Sequence, residues 1–490
     1  MAIVRSWCFW RWPASVSGPR WPGCCAGQKR RRHSPERGRV VAERPGQIRL
    51  GAFLSGSGAH GGSWRHPQAD ADASLNFQRY RHYAQTLERG CFDALFLNDN
   101  VAVGNLDPRV LSRTSYSLRW DPLTLLPALA VLTEHIGLIA TVNTSYNEPY
   151  NVARKFASLD HLSGGRAGWN LVTGLIGGEN FNHAQPLAHA DRYVRAEEFF
   201  DVVTGLWDSW ADDAFVRDKV TGTWLDTEKM HVLEHHGQHF QVRGPLNAPR
   251  PLQGWPLIAQ AGSSGPGREL AARSAELVFT AQQTLEEGKA FYAGLKERLP
   301  HYGRDVGQLK IFPGIAPSVG RTLNEAEEKY QLLQELLDPE VMLKGLSWLL
   351  DLGIDLSALP LHAVVPLPEH LAPTQGHQSR QQLVVDLIRR ERPTVAQLLR
   401  SLSASGHKVQ VGTPAQIVDE LATWYEEYAA DGFNVLFTHL PGAVDDFVDL
   451  VVPELQRRGL FRTQYEGRSL RENLGLQRVE NRFFGSGKNG

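Results

Sequence analysis

The 490-residue chain predicts an α/β fold, a (β/α)8 TIM barrel with two long insertions. Three observations carry this expectation. From Gln47 onward, short β-rich apolar runs alternate with amphipathic helical patterns, the signature of βα units on a parallel sheet. The alternation repeats eight times, which favours a closed barrel over an open doubly wound sheet. Two connections, 211–255 and 337–432, are far longer than a βα loop needs, and barrels of this kind can exceed roughly 400 residues as one unit.

Each strand is an apolar run too short for a helix. The runs fall at 48–54, 92–97, 136–142, 167–172, 256–261, 277–281, 309–316 and 433–438. The helical patterns that follow them lie at 75–90, 123–134, 149–160, 191–209, 266–275, 284–298, 323–336 and 442–458. The first insertion mixes charge, Trp and His with Gly and Pro. The second carries helical stretches near 341–351, 379–389 and 395–403, and ends at Gly412-Thr413-Pro414, where Thr before Pro signals the start of a helix over 414–430. Both insertions are expected to cover the barrel mouth.

Composition bounds the function. With 42% hydrophobic and 21% charged residues the chain is ordinary globular protein, and 52 Lys+Arg against 53 Asp+Glu supply no field to draw in nucleic acid or an anionic membrane. A small-molecule function is expected. Residues 1–45 differ from the rest: they hold ten of the Lys/Arg and two of the Asp/Glu, leaving 42 basic against 51 acidic, with three of the four cysteines, four tryptophans and no periodicity. This segment is expected to be a disordered extension, or upstream sequence read in through a misplaced start, with translation beginning near Val40 or Val41; an organellar transit peptide is the alternative. The body, 46–490, is expected to be a single barrel domain. Only Cys91 remains in it, which points to a reducing compartment. No apolar stretch approaches the roughly 20 residues of a membrane span, so a cytoplasmic, soluble protein is expected.

In such a barrel the reactive groups sit at the C-terminal ends of strands. Strand two ends in Leu97-Asn98-Asp99-Asn100, strand three in Ala140-Thr141-Val142-Asn143-Thr144 and strand four in Trp169-Asn170-Leu171-Val172-Thr173, all polar. Asp99 reads either as a site residue or as an exposed loop residue, and Thr141 as a site residue or a buried β-branched one. Strand five ends in Gln260-Ala261-Gly262-Ser263-Ser264-Gly265, whose backbone N–H groups and two hydroxyls suit an anion such as phosphate. The plainer reading is that Ser263 or Ser264 caps the next helix. His189 and Tyr193, spaced i, i+4, share a helix face and can address one ligand. His231 and His235 match a zinc-protease spacing, but Gly237, Gly244 and Pro245 argue for an extended stretch. No P-loop and no Gly-x-Ser-x-Gly elbow is present, and the clusters Arg154-Lys155 and Arg389-Arg390-Arg392 read as solvated helix faces.

The stretch TVNTSYNEPYNVARKFASLDHLSGGRAGWNLVT over 141–173 strongly resembles the nitrilotriacetate monooxygenase, pristinamycin synthase and dibenzothiophene-sulfone monooxygenase family, within the bacterial-luciferase-like flavin enzymes. Supporting blocks are IRLGAFL (48–54), WRHP (64–67), DRYVRAEEF (191–199), QAGSS (260–264) and LQRRGLFR (455–462), so the likeness covers about 46–484. The resemblance implies a luciferase-like barrel that binds reduced FMN delivered by a separate NAD(P)H:flavin reductase, then reacts with O2 to form a flavin hydroperoxide that oxygenates a small organic substrate. It also implies a homo-oligomer. The implied FMN contacts are Asp99, Thr141, His189, Tyr193, Ser264 and, with it, Ser263; His189 is also a candidate for a catalytic role. A deazaflavin-dependent oxidoreductase of the same superfamily and a non-catalytic flavin-binding protein are the alternatives.

Overall fold

Eight parallel strands close on themselves: β1 (Arg49–Leu54), β2 (Ala94–Leu97), β3 (Gly137–Asn143), β4 (Ala167–Val172), β5 (Leu257–Gln260), β6 (Leu277–Thr280), β7 (Lys310–Val319) and β8 (Gly432–Leu436). Each pairs with the next in sequence, and β8 returns to β1 with Arg49 opposite Gly432 and Phe53 opposite Leu436. The computed structural model describes residues 44–174, 176–182, 187–368, 370–371, 374 and 376–484. The N-terminal segment expected to be an extension therefore lies outside the described residues, apart from Arg44 and Pro45. The Arg44 guanidinium donates to Tyr425 O at 2.6 Å and Ala430 O at 2.7 Å and pairs with Asp431 at 2.5 Å.

The helices between the strands start where their caps dictate. They are α1 (Phe77–Arg89), α2 (Pro122–Ala130), α3 (Pro149–Leu162), α4 (His189–Trp207), α5 (Gly265–Ser274), α6 (Leu285–Lys296) and α7 (Leu323–Glu335), with a last helical segment over 442–457 after β8. Asn76, Asp121, Thr284 and Thr322 each accept a bond from a backbone N–H in the first turn of α1, α2, α6 and α7. Helix α2 stops at Ala130, four residues short of its expected end, and Arg166 donates to Ala130 O at 2.8 Å and to two carbonyls of the turn that follows, Thr133 O at 2.9 Å and Ile136 O at 2.8 Å.

The barrel interior is filled, not hollow. Phe96, Ile139, Leu257, Ala259, Leu277 and Phe312 pack from the strands against Leu470 and Leu474, which come from a short C-terminal helix. A side chain at Gly137 would collide with Leu470, so the strand yields that volume to the plug. Arg471 pairs with Glu276 and Arg462 with Asp93 around this buried end.

The second insertion contributes α8 (Pro339–Leu350), α9 (Gln378–Glu391), α10 (Val395–Ser401) and α11 (Pro414–Glu426). Thr413 caps α11 with Gln416 reciprocating, as the Thr-Pro signal predicts. This insertion carries a separate apolar core, including Leu343, Leu350, Val384, Ile388, Val395 and Leu398. It also carries an unexpected ninth strand, Lys408–Gly412, which pairs in parallel with residues 315–319 of β7. That strand forms because β7 overhangs the barrel and offers a free edge. The first insertion takes a different course. Its Leu246 O accepts from Trp210 at 2.7 Å, Pro245 O accepts from Tyr150 at 3.3 Å, and its hairpin His235–His236/Gln241–Val242 lies against Glu198 of α4.

Candidate active site

The C-terminal ends of β4 and β5 and the N-termini of α4, α5 and α9 surround a cavity of about 200 Å³. Helix α5 presents its N-terminus here. Ser264 is its cap, accepting from Gly267 N at 3.3 Å, and the same hydroxyl lies 3.3 Å from Tyr193 OH. Both readings of the serine therefore meet in one group: it caps the helix and lines the cavity. A Cβ at Gly265 would meet nothing within 4 Å, so the turn faces open space where an anion can approach the backbone. Ser263 bonds Thr280 Oγ1 at 3.2 Å, while its carbonyl accepts from Arg268 Nε at 3.0 Å.

His189 and Tyr193 share a face, with ring centroids 5.1 Å apart. Burial, then the neighbouring Arg192, lower the His189 pKa from its ordinary value. Arg192 is itself buried and donates to Gly174 O at 3.3 Å. Among the described residues the cavity lining holds no Asp or Glu; its ionisable groups are His189, Arg192, Tyr193 and His377. Such a surface suits a negatively charged group.

Asp99 and Thr141 stand apart from this cavity. Thr141 donates to Leu97 O at 2.8 Å and accepts from Asn170 Nδ2 at 2.9 Å, so its hydroxyl ties three strands together. Asn170 Oδ1 is buried with no donor among the described residues. Asp99 is half-buried at the end of β2; burial, with Asp121, raises its pKa against the lowering pull of Asn100 N–H and Arg119. The structure thus brings His189, Tyr193, Ser263 and Ser264 into one cavity and leaves Asp99 and Thr141 outside its lining. Arg192 and His377 were missed. Arg192 sits inside the DRYVRAEEF block and carried a signal; His377 had none, because the second insertion brings it in.

A second cavity of about 300 Å³ opens between the loops after β1 and β2 and the second insertion. Trp64, Met342, Leu346, Trp348 and Val384 give it an apolar wall. Beside α7 lie three buried histidines, His60, His66 and His439, the last two with ring centroids 4.0 Å apart. Burial pushes His60 down to about 4 and His439 down to about 3. No residue of 211–255 lines either mouth cavity, which corrects the expectation that both insertions cover the mouth. His231 and His235 are far from the helix a zinc protease requires: His231 stacks on Phe483 at 3.6 Å, and His235 is in the hairpin, 3.0 Å from Glu198.

Fold and site together define a barrel enzyme that works at the C-terminal ends of its strands. The family model described as Luciferase-like monooxygenase matches residues 57–432, and the chain belongs to that family, whose members are flavin-dependent monooxygenases of small substrates. It is 49% identical over 445 residues to nitrilotriacetate monooxygenase component A of Aminobacter aminovorans, covering 89% of this chain and 98% of the relative. It is 48% identical over 441 residues to N-acetyl-S-(2-succino)cysteine monooxygenase of Bacillus subtilis (strain 168), with 89% and 98% covered. The crystal structure of riboflavin lyase with modified FMN and riboflavin superposes with a TM-score of 0.79 at 31% identity, covering 88% of this chain and 97% of that one.

Proposed function

We propose that this chain is the FMNH2-dependent oxygenase component of a two-component system, fed by a separate NAD(P)H:flavin reductase. One observation carries the reading: the cradle made by Ser264 Oγ, Tyr193 OH and the N-terminus of α5, in a cavity whose lining has arginine and histidine and no carboxylate among the described residues. These groups fit the phosphate of FMN. Asn170 Oδ1, a buried acceptor with no donor among the described residues, fits the polar edge of a flavin ring. Ser263 and Ser264 would bind the phosphate, Tyr193 and His189 would orient it, and Asp99 and Thr141 would border the ring. Reduced FMN, when bound, supplies the two electrons with which O2 places one oxygen atom in the substrate and leaves the other as water. The protein's share is to hold the flavin and keep water out, and the second insertion serves that end over the mouth. The words "component A" in one relative's name support the division of labour with a reductase. The protein is proposed to act as a cytoplasmic homo-oligomer. No helix among the described residues is long and apolar enough to cross a membrane, and Cys91 is free and buried.

The test mixes anaerobic protein plus FMNH2 with oxygenated buffer and follows the flavin spectrum. Reoxidation slower than that of free FMNH2 supports the reading. Reoxidation at the free-flavin rate, together with binding of a deazaflavin in place of FMN, sinks it in favour of a hydride-transfer enzyme.

A further inference from the structure

The cavity of about 300 Å³ has an apolar wall and one feature that such a wall does not explain. Arg380, in the first turn of α9, lines it with no carboxylate within ion-pair distance among the described residues. Its guanidinium donates to two neutral acceptors, Ser405 O and, at 3.1 Å, His407 Nε2. Burial alone pushes its pKa down to about 10. The side chain is only half-buried, so one side of the guanidinium is open to the cavity, and a cation placed there with no opposite charge beside it is free to pair with an anion. The other arginines of the lining differ. Arg113 is exposed and faces Asp338 at 3.4 Å, and Arg65 is exposed with Nη1 on Leu336 O at 2.7 Å. Among the described residues Asp338 is the one carboxylate of the lining, and Arg109 and Arg113 occupy it.

Position gives the charge its meaning. Residues 376–379 line the cavity with the anion cradle, and Arg380, next in the chain, lines the apolar one, so this turn is the wall between the two. His407, which accepts from Arg380, stacks on Phe279 of β6 with centroids 5.0 Å apart and planes 6° from parallel. Phe279 in turn packs on Phe53 and Phe96 inside the barrel. The guanidinium is therefore held by a rigid chain of contacts rooted in the barrel.

We propose that Arg380 is the anion anchor of the substrate cavity, which takes a small organic molecule with an apolar body and one carboxylate or sulfonate group. The planar fork of a guanidinium matches both groups through paired N–H donors. The apolar body fills the space bounded by Trp64, Met342, Leu346, Trp348 and Val384. This assignment rests on the oxygenase reading for its meaning as a substrate site, but not for its test.

The test compares two fluorescent probes that differ by one sulfonate: 8-anilinonaphthalene-1-sulfonate and its neutral parent N-phenyl-1-naphthylamine, titrated at fixed ionic strength into the full chain. Arg380→Gln should weaken the sulfonate probe about tenfold or more and the neutral probe less than about twofold, and Arg380→Lys should recover part of the loss. Met342→Trp, which fills the cavity, should weaken both. Equal loss of both probes in Arg380→Gln, or an undiminished sulfonate probe in either Arg380→Gln or Met342→Trp, overturns the anchor. Should Arg380→Gln not fold, wild-type protein and Arg380→Lys still decide: no preference for the sulfonate probe in wild type overturns it. FMN titrated in parallel keeps the two readings separate. Absence of FMN binding with probe discrimination intact removes the flavin reading and leaves the anchor, and the reverse result removes only the anchor.

Discussion

The two insertions look alike in sequence, long stretches between barrel elements, yet they fold by different physics. Residues 211–255 have no large core of their own and are tied down by directional polar bonds. Glu198 accepts from His239 N and Phe240 N at 2.9 Å each, and Arg250 donates to the buried Asp208 at 3.0 Å. The segment lies along α3 and α4 and touches neither mouth cavity. Residues 337–432 instead bury their own cluster of leucines, valines and an isoleucine and extend the sheet by a strand, which lets them stand over the mouth and line both cavities. An insertion with its own core can be placed over a functional site; one without must lean on the scaffold.

Removal of 341–403 separates the two regions most sharply. FMN affinity is expected to change by less than about tenfold, because Ser264, Tyr193 and the N-terminus of α5 stay in place and only 376–379 of the cavity wall are lost, while oxygen consumption is diverted almost wholly to hydrogen peroxide. Oxygen uptake measured against product formed checks this, and unchanged coupling would show that the second insertion is no lid. In the first insertion, Arg250→Ala should cost about 3 kcal/mol of stability by leaving the fully buried Asp208 with only the part-exposed Arg482 at 3.2 Å. Urea unfolding reads that loss, and FMN affinity should stay as in wild type, since Arg250 is remote from the cradle.

Acid distinguishes the regions by sign as well as size. His60 and His439, beside α7 where it leads into the second insertion, have folded pKa values of about 4 and about 3, below the ordinary 6.5. A histidine kept neutral by folding contributes no pH dependence above 6.5 and loses stability as pH falls from there toward its folded value. The expected loss is about 1.4 kcal/mol per pH unit for each, so about 2 kcal/mol each at pH 5. Under the first insertion, burial pushes the Glu198 pKa up, but the bonds from His235, His239 N and Phe240 N outweigh it and hold it below its ordinary 4.5. Its contribution is present above 4.5 and lost only below. Hydrogen exchange at pH 7.5 and pH 5 should therefore loosen 403–441 before 235–242; the opposite order would break the distinction. The smallest effect is at the cradle: Ser264→Ala should weaken FMN about five- to tenfold, or about 1 kcal/mol, read by quenching of flavin fluorescence.

The legible part of this molecule was local. The run Ala167–Val172 is a strand as the sequence predicts, and α11 begins at Pro414 because Thr413 and Gln416 cap it, information carried within four residues. Ser264 was legible as the cap of α5, since that depends on the turn it occupies, and the structure also sets it in the cavity lining. The strand Lys408–Gly412 was not legible: only Val409 and Val411 mark it, and it exists because β7 runs past the barrel. Thr141 carries no sign in sequence that its hydroxyl donates a hydrogen bond to Leu97 O.

The sequence by itself determined the barrel, its eight βα units and the capped start of α5, because periodicity and capping act over a few residues. Only the tertiary structure decided which insertion covers the mouth, that Asp99 and Thr141 lie outside the cradle's cavity, and that Arg380 meets His407 and, among the described residues, no carboxylate. Those facts depend on which distant groups are withdrawn from water together, and no local pattern records that.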